Sequence, residues 1–187
     1  MKIEIQGFHG TSYQKAKEII TTDYKLSYGD DEWLGDGVYF FIEGLSKKPI
    51  EQAQKWAIAQ SWDNLNKKLT YSSLSIIKSE IEVEEENFLD LTIDEGLEIL
   101  DYIIEKHSDK ISKLKKRFNH IDGLVINFAR NENILPIEVS KGNFYIKFTK
   151  ERMSNFDRRT SNCTICSVYL PAKNIKSKEL VLTNEIE

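Results

Sequence analysis

Strict alternation of apolar and polar residues recurs along this chain, and it limits the possible folds more than any other sequence feature. Period-two alternation predicts short strands with one face in a core. The alternating segments lie around Ile3 and Ile5, around Ile81 and Val83, and from Phe144 through Ile146 to Phe148. Two late segments and one apolar run predict further strands: 164–170, 179–182 and 123–128, the last of them central in the sheet.

Segments between these strands predict helices. The apolar residues of 13–20 share one helical face, and Thr11 or Ser12 can cap that helix. Pro49 precedes a second helix. Residues 92–95 read as a capping box that opens a third helix. Because helices come early and strands come late, the predicted fold class is α+β with a largely antiparallel sheet.

Length and composition fit one globular domain spanning residues 1–187. The chain is 40% hydrophobic and 30% charged, and no repeat or linker divides it. Its formal net charge of −4 excludes a global basic field that would attract nucleic acid. No run approaches the roughly 20 apolar residues of a membrane span, so no membrane partner is expected.

The two cysteines and the N-terminal residues indicate the cellular compartment in which the protein is expected. Cys163 and Cys166 lie three apart on a predicted strand, so their side chains point to opposite faces. Since there is no second C-x-x-C, ordinary buried thiols are expected rather than half a zinc site, and no metal is expected. The segment 1–10 is predicted to be a strand and not a signal peptide. A reducing, cytoplasmic location is therefore expected.

Two short segments carry residue types suited to a ligand. One is His9–Gly10–Thr11–Ser12, and the other is Gly35–Asp36–Gly37 leading into Val38–Tyr39–Phe40. A neutral histidine offers one donor and one acceptor, which suits a ribose hydroxyl, and the glycine after it lets a ligand approach the backbone. A tyrosine beside two glycines offers a flat face to a heteroaromatic ring. Each segment alone is also compatible with a simple turn. The second differs from the dinucleotide-fold signature, because a strand and not a helix follows it.

Together, these segments resemble the diphtheria-toxin and poly(ADP-ribose) polymerase branch of the ADP-ribosyltransferases. In that branch a His-Gly-Thr/Ser segment ends the first strand, a Gly-x-Gly-hydrophobic-Tyr-Phe segment forms a later strand, and a helix with an aromatic residue follows. His9–Gly10–Thr11, residues 35–40 and Trp56 match these features in order. The resemblance implies an ADP-ribosyltransferase-like fold, with a mostly antiparallel split sheet and flanking helices.

The resemblance also implies an activity. Enzymes of this branch cleave NAD between nicotinamide and ribose and transfer ADP-ribose to an acceptor, here expected to be a protein or a nucleic acid. The transition state resembles an oxocarbenium ion, as in glycoside hydrolysis. By this resemblance His9 binds the adenosine ribose, the Gly10 backbone holds the carboxamide, and Tyr39 stacks on nicotinamide with Trp56 as a second wall. The implied NAD-binding residues are His9, Gly10, Thr11, Gly37, Tyr39 and Trp56.

The chain departs from the resembling family on a late strand, where that family often has a catalytic glutamate. The equivalent position is Thr164, or Cys163 or Asn162 if the register slips. A threonine donates a hydrogen bond but does not act as a base near neutral pH, so single transfer is expected rather than polymer synthesis. Three carboxylates elsewhere are candidate substitutes: Glu138, Glu151 and Asp157.

The polar loop 149–162 precedes this late strand. In the resembling family the loop at this place contacts the acceptor, and arginine suits phosphate geometry. The candidate acceptor-binding residues are Arg152, Phe156, Arg158 and Arg159. A solvated hairpin loop is the alternative interpretation. The second basic cluster, within 106–117, is predicted to be a solvated helix face.

Three other functions remain open from the sequence. The missing glutamate is compatible with a module that binds NAD or ADP-ribose without transfer. An RNA 2′-phosphotransferase also uses NAD, although that family favours a more basic chain. A plain interaction domain is the third. If the chain is a transferase, its short, lysine- and isoleucine-rich sequence is typical of bacterial or phage-defence toxins, and such a toxin needs a neutralising antitoxin.

Overall fold

The computed structural model describes residues 1–29, 32–114, 121–148 and 160–186. The strands are β1 (Lys2–Ser12), β2 (Val38–Ile42), β3 (Trp62–Asp63), β4 (Lys68–Leu69), β5 (Ser73–Glu84), β6 (Phe88–Asp90), β7 (Val139–Phe144), β8 (Cys163–Val168) and β9 (Ile175–Glu185). The helices are α1 (Tyr13–Thr21), α2 (Pro49–Ser61), α3 (Asp94–Lys106), α4 (Ser108–Leu114), α5 (Ile121–Asn131) and α6 (Pro171–Asn174), with a 3₁₀ turn at Glu85–Asn87.

Seven of these strands form one sheet in the order β6–β7–β8–β2–β1–β5–β9, and β3 pairs with β4 in a separate hairpin. Within the seven-stranded sheet, β6 and β7 are parallel and the other neighbours are antiparallel. The predicted α+β class with a largely antiparallel sheet is thus confirmed.

The hydrogen-bonded pairing between the two central strands, β1 and β2, is short. β1 pairs with β5 along its whole length, from Lys2 to Ser12. β1 pairs with β2 at Gly7 and Phe8, whereas β2 pairs with β8 along its full length. The two central strands therefore separate after Phe8, immediately before His9.

Each face of the sheet packs on its own hydrophobic core. One core contains buried residues of α2, α3, α4 and α5, and the other contains Ala16 of α1 together with Tyr24 and Phe40. Cys163 belongs to the first core and Cys166 to the second, and both are free, buried thiols. The expectation of two buried thiols on opposite faces of a strand is confirmed.

Local sequence signals explain how α1 and α2 begin and how α2 packs. The Ser12 hydroxyl accepts a hydrogen bond from the Lys15 amide at 3.3 Å, which makes Ser12 the cap of α1. Pro49 occupies the first turn of α2, where its missing N–H costs nothing. A side chain at Gly10 would place its Cβ 2.0 Å from the Ala53 carbonyl oxygen. Only glycine allows β1 and α2 to pack this closely.

The run 123–128 is a correction, because it lies in helix α5 and not in a strand. Gly123, Leu124, Val125, Ile126 and Phe128 are all buried in this helix. The run covers only six residues, and an apolar run this short cannot be distinguished from a buried strand by periodicity.

Two smaller expectations also fail. The strand predicted around Phe144 to Phe148 lies earlier and ends at Phe144 as β7, and Ile146 bonds instead to the side chain of Asn162. The capping box at 92–95 does not form: the cap residue of α3 is Ile93, and the Thr92 hydroxyl donates to Asp90 at 2.6 Å. A neighbouring carboxylate thus displaces the backbone as the partner of Thr92.

None of the helices in the described part of the chain is long and apolar enough to cross a membrane.

Candidate functional site

A cavity of about 1430 Å³ opens where β1 and β2 separate. Its walls come from the end of β1, the first turns of α1, the loop before β2, β2 itself and α2. The cavity is large for a single small molecule, whose pockets usually measure about 300–1,000 Å³. Six residues predicted from the sequence to bind NAD line this cavity together: His9, Gly10, Thr11, Gly37, Tyr39 and Trp56.

His9 connects the two central strands at the point where their ladder ends. Its Nδ1 lies 2.9 Å from the Tyr39 carbonyl oxygen. A carbonyl only accepts, so Nδ1 carries the proton and Nε2 remains as an acceptor. The ring is also fixed by edge contacts, with centroid distances of 5.4 Å to Tyr24 and 5.9 Å to Phe40.

The environment of His9 favours the neutral imidazole. Burial lowers its pKa below the ordinary value, and the nearby positive charge of Lys15 acts in the same direction. The hydrogen bond to the Tyr39 carbonyl opposes this shift without reversing it. His9 lines the cavity and therefore keeps one ring nitrogen, Nε2, as a hydrogen-bond acceptor.

Tyr39 is held by the turn that precedes it. Its hydroxyl accepts from the Leu34 amide at 2.9 Å and donates to the Gly35 carbonyl at 2.7 Å. Burial raises the pKa of Tyr39, so the phenol stays protonated. With the hydroxyl engaged, the ring is what Tyr39 contributes to the cavity.

Helix α5 contacts and stabilises this turn. Gly35 has φ of 78°, a left-handed conformation that favours glycine. The Asn127 side chain accepts from the Asp36 amide at 2.9 Å. This role of Asn127 was not predicted, because its segment was expected to be a strand.

The cavity has an aromatic half and a charged half. Trp33 and Trp56 contact each other edge to face, with centroids 6.4 Å apart, and both pack against the core that contains α2 and α5. On the α1 side, Lys15, Glu18 and Lys25 line the wall, and Lys25 pairs with Glu18 at 2.9 Å. Such a site suits a ligand with a flat ring at one end and polar or anionic groups at the other. No sequence pattern around Trp33 distinguishes it as a residue of the cavity.

Thr164 lies outside this cavity, which corrects the register expected for the late strand. Its hydroxyl donates to the Asn143 side chain at 2.7 Å and accepts from the Leu45 amide at 3.0 Å, and the residue is 1% exposed. Because side chains alternate along β8, the next residue faces the other way. That residue, Ile165, lines the cavity.

The remaining two positions considered for a slipped register are structural. The Asn162 side chain bonds to the backbone of Ile146, with its Oδ1 accepting at 2.9 Å and its Nδ2 donating at 3.0 Å. The Cys163 thiol donates to the Phe144 carbonyl at 3.3 Å, and burial raises the thiol pKa to about 12. Neither residue is among those that line the cavity.

None of the carboxylates predicted to replace the missing glutamate is among the described residues that line the cavity. Burial alone would raise the pKa of Glu138, but hydrogen bonds from Lys173, Asn174 and Asn87 hold it below the usual range, and Glu138 does not line the cavity. The carboxylates among the described lining residues are Glu18 and Glu32, which sequence analysis did not select. Several predicted residues lie outside the described residues: Glu151, Arg152, Phe156, Asp157, Arg158 and Arg159.

No group of three or more His, Cys, Asp or Glu side chains that could hold a metal ion occurs within residues 1–29, 32–114, 121–148 and 160–186.

Comparison with known proteins gives one relationship. An uncharacterized protein, MJ0359 of Methanocaldococcus jannaschii, is 33% identical over 174 residues, which cover 84% of this chain and 76% of the archaeal protein. The chain belongs to the MJ0359 family. No protein-family model matches the chain. The relationship to MJ0359 names no activity.

Proposed function

We propose that the protein is an NAD-dependent mono-ADP-ribosyltransferase with an ADP-ribosyltransferase-like fold. One observation carries the proposal: His9 and Tyr39 are joined by a 2.9 Å hydrogen bond and line a cavity between diverging strands. The neutral His9 ring supplies an acceptor for a ribose hydroxyl, and Tyr39 supplies an aromatic face. The proposal also rests on the sequence resemblance of the two segments that carry these residues.

The cavity offers a place for each part of NAD. Nicotinamide would stack on Tyr39 in the aromatic half, with Trp56 as the opposite wall. Since β1 pairs with β2 no further than Phe8, the backbone at Gly10 would bind the carboxamide. Lys15, near His9, would face the anionic pyrophosphate.

These residues would act by holding and orienting the dinucleotide. The bond between ribose C1′ and the nicotinamide nitrogen breaks, and its electron pair leaves with neutral nicotinamide. Positive charge then develops on the ribose, and an acceptor nucleophile forms the new bond to C1′. Ile165 occupies the cavity wall on β8 and cannot orient a second ribose as a nucleophile, so the product would carry single ADP-ribose units.

A binding module without transferase activity is the second candidate, and Ile165 is the observation that favours it. An aliphatic side chain on β8 gives no group for proton transfer. An RNA 2′-phosphotransferase is less well supported, because the described cavity-lining residues include lysines but no arginine. The acceptor, whether protein or nucleic acid, would approach loop 149–162.

Nicotinamide release from NAD by the purified protein tests the proposal, alone and with cell extract. Release with labelling of a macromolecule supports the transferase. NAD binding without release in either condition would support the binding module, and no NAD binding at all would refute both. Digestion of the labelled product with protease or nuclease then identifies the acceptor class.

The biological role is a further part of the proposal. A small transferase of this type would act as a toxin on cytoplasmic targets and would require an antitoxin partner. Expression that arrests growth in the wild type, but not in a His9→Ala variant, would support this role.

A further inference from the structure

The cavity contains a carboxylate that no sequence motif indicates. Glu32 lines the cavity immediately before Trp33, and its side chain accepts a hydrogen bond from the Ser27 hydroxyl. The Glu32 carbonyl accepts from the Gly35 amide at 3.3 Å and packs against α5 at Gly123. Backbone and side chain are therefore both anchored.

The segment that carries Ser27 is itself fixed to the site. Ser27 and Gly37 exchange two backbone hydrogen bonds, of 2.9 and 3.1 Å, which tie the loop to the start of β2. Glu32 is thus held between Ser27 on one side and the turn before Tyr39 on the other. These contacts set its position relative to the start of β2.

We infer that Glu32 is the general base of the transfer reaction and takes the place of the carboxylate missing from β8. This inference rests on the proposed transferase function. Ile165 leaves the β8 wall without an ionisable group, and carboxylates are among the groups that serve as general bases. Glu32 supplies one from a different wall of the same cavity.

The position of Glu32 suits this role better than that of Glu18, the other carboxylate of the described lining residues. Glu18 lies on α1 in the charged half and is paired with Lys25 at 2.9 Å. Glu32 accepts its hydrogen bond from the neutral hydroxyl of Ser27 and adjoins Trp33 in the sequence. Its negative charge adds to the burial that raises the pKa of Tyr39.

The proton and electron balance of the step is complete without another reactant. The C1′–nicotinamide bond breaks, and its electrons neutralise the pyridinium nitrogen. An acceptor O–H or N–H group forms the bond to C1′, and its proton passes to the Glu32 carboxylate and then to solvent. The products are ADP-ribosylated acceptor, nicotinamide and one proton.

The test compares Glu32→Gln with Glu51→Gln, a matched change at a surface carboxylate of α2 that pairs with Lys48 and does not line the cavity. Purified variants are assayed for NAD affinity by calorimetry, for thermal stability, and for incorporation of labelled ADP-ribose into a cell extract. We expect Glu32→Gln to bind NAD within about threefold of the wild type and to lose about 10²-fold or more of the transfer rate. Glu51→Gln should keep that rate, and Glu32→Asp should restore part of it.

The outcomes separate this inference from the proposed function. A wild type that neither binds nor cleaves NAD overturns the proposed function. An active wild type with a comparably active Glu32→Gln variant overturns the role of Glu32 alone. If Glu32→Gln loses NAD affinity or stability in proportion to its rate, Glu32 is a binding or structural residue and not the base.

Discussion

His9 uses one ring nitrogen for the fold and leaves the other for a ligand. Replacement with alanine should weaken NAD binding about tenfold, which corresponds to about 1.4 kcal/mol for one lost hydrogen bond. Some stability is also lost, because the Tyr39 carbonyl loses its partner. Calorimetric titration with NAD measures the effect. His107→Ala is the control, since His107 packs on Phe128 and does not line the cavity. Equal NAD affinity in both variants would contradict the assignment.

The ring and the hydroxyl of Tyr39 have different roles: the ring contributes to the cavity, and the hydroxyl holds the preceding turn. Tyr39→Phe keeps the stacking face but leaves the Leu34 amide and the Gly35 carbonyl without their side-chain partner. We expect it to bind NAD normally while losing about 1–3 kcal/mol of unfolding free energy. Tyr39→Ala should lose both. Denaturant unfolding and NAD titration of the two variants measure this difference, and weak NAD binding by Tyr39→Phe would show that the hydroxyl itself contacts the ligand.

The pKa of His9 predicts how NAD binding depends on pH. Because this pKa lies below the ordinary histidine value of about 6.5, the ring stays neutral at and above that pH. Affinity should be constant from about pH 8 to 6.5 and fall at lower pH, where protonated Nε2 no longer accepts a hydroxyl. Titration calorimetry across this range tests the prediction, and a decline that begins above pH 6.5 would contradict it.

The same shift affects stability. The unfolded chain binds the His9 proton near pH 6.5, whereas the folded protein binds it at a lower pH. Unfolding free energy should therefore decrease as pH falls below about 6.5, and this group contributes no change above that value. His9→Gln should remove this part of the slope while keeping an acceptor oxygen.

In strand β8, a register shift of one residue exchanges the residue that faces the cavity for a neighbour that faces away from it. Thr164→Val removes hydrogen bonds to Asn143 and Leu45 and should cost about 1–3 kcal/mol of stability with unchanged NAD affinity. Ile165→Trp places a larger side chain into the cavity and should weaken NAD binding while the domain stays folded. Thermal unfolding and NAD titration of both variants test the register. The reverse pattern would restore Thr164 as the site residue.

The sequence predicts helices and strands correctly where hydrophobic periodicity is clear. It fails where tertiary packing determines the type of element or the register of a strand. Alternation at Ile3 and Ile5 identifies β1, and the first turn of α2 contains Pro49. The apolar run at 123–128 is too short for periodicity to distinguish a helix from a buried strand, so the role of Asn127 on α5 could not be predicted either. The face of β8 that meets the cavity depends on register, and a one-residue error exchanges the two faces.

The candidate site was partly predictable for a related reason. His9 and Tyr39 lie in local motifs whose glycines mark a strand end and a turn, so their neighbourhood is visible in the sequence. Glu32 and Trp33 reach the cavity through long-range packing of their loop on α5 and on Phe144. No local pattern distinguishes them from other loop residues.

For the molecule as a whole, the chemistry of the cavity wall predicts the form of the product. Chain growth requires a group that orients a ribose hydroxyl of the preceding unit, and Ile165 provides none. Labelled product separated on a gel should give discrete bands. A ladder or smear of polymer would contradict this prediction and would show that a carboxylate other than one on β8, such as Glu32, orients the ribose hydroxyl.

The two-pair ladder between β1 and β2 also bears on how the protein unfolds. The sheet consists of one ladder, β1–β5–β9, and another, β2–β8–β7–β6, with few backbone bonds between them. His9 belongs to the first and Tyr39 to the second, so a dinucleotide bound to both residues connects the two ladders. At about one hundred times its dissociation constant, such a ligand adds about 2.7 kcal/mol to the unfolding free energy. Backbone amides on both sides of the cavity should then exchange with solvent as one cooperative unit, whereas without ligand each ladder opens with its own free energy.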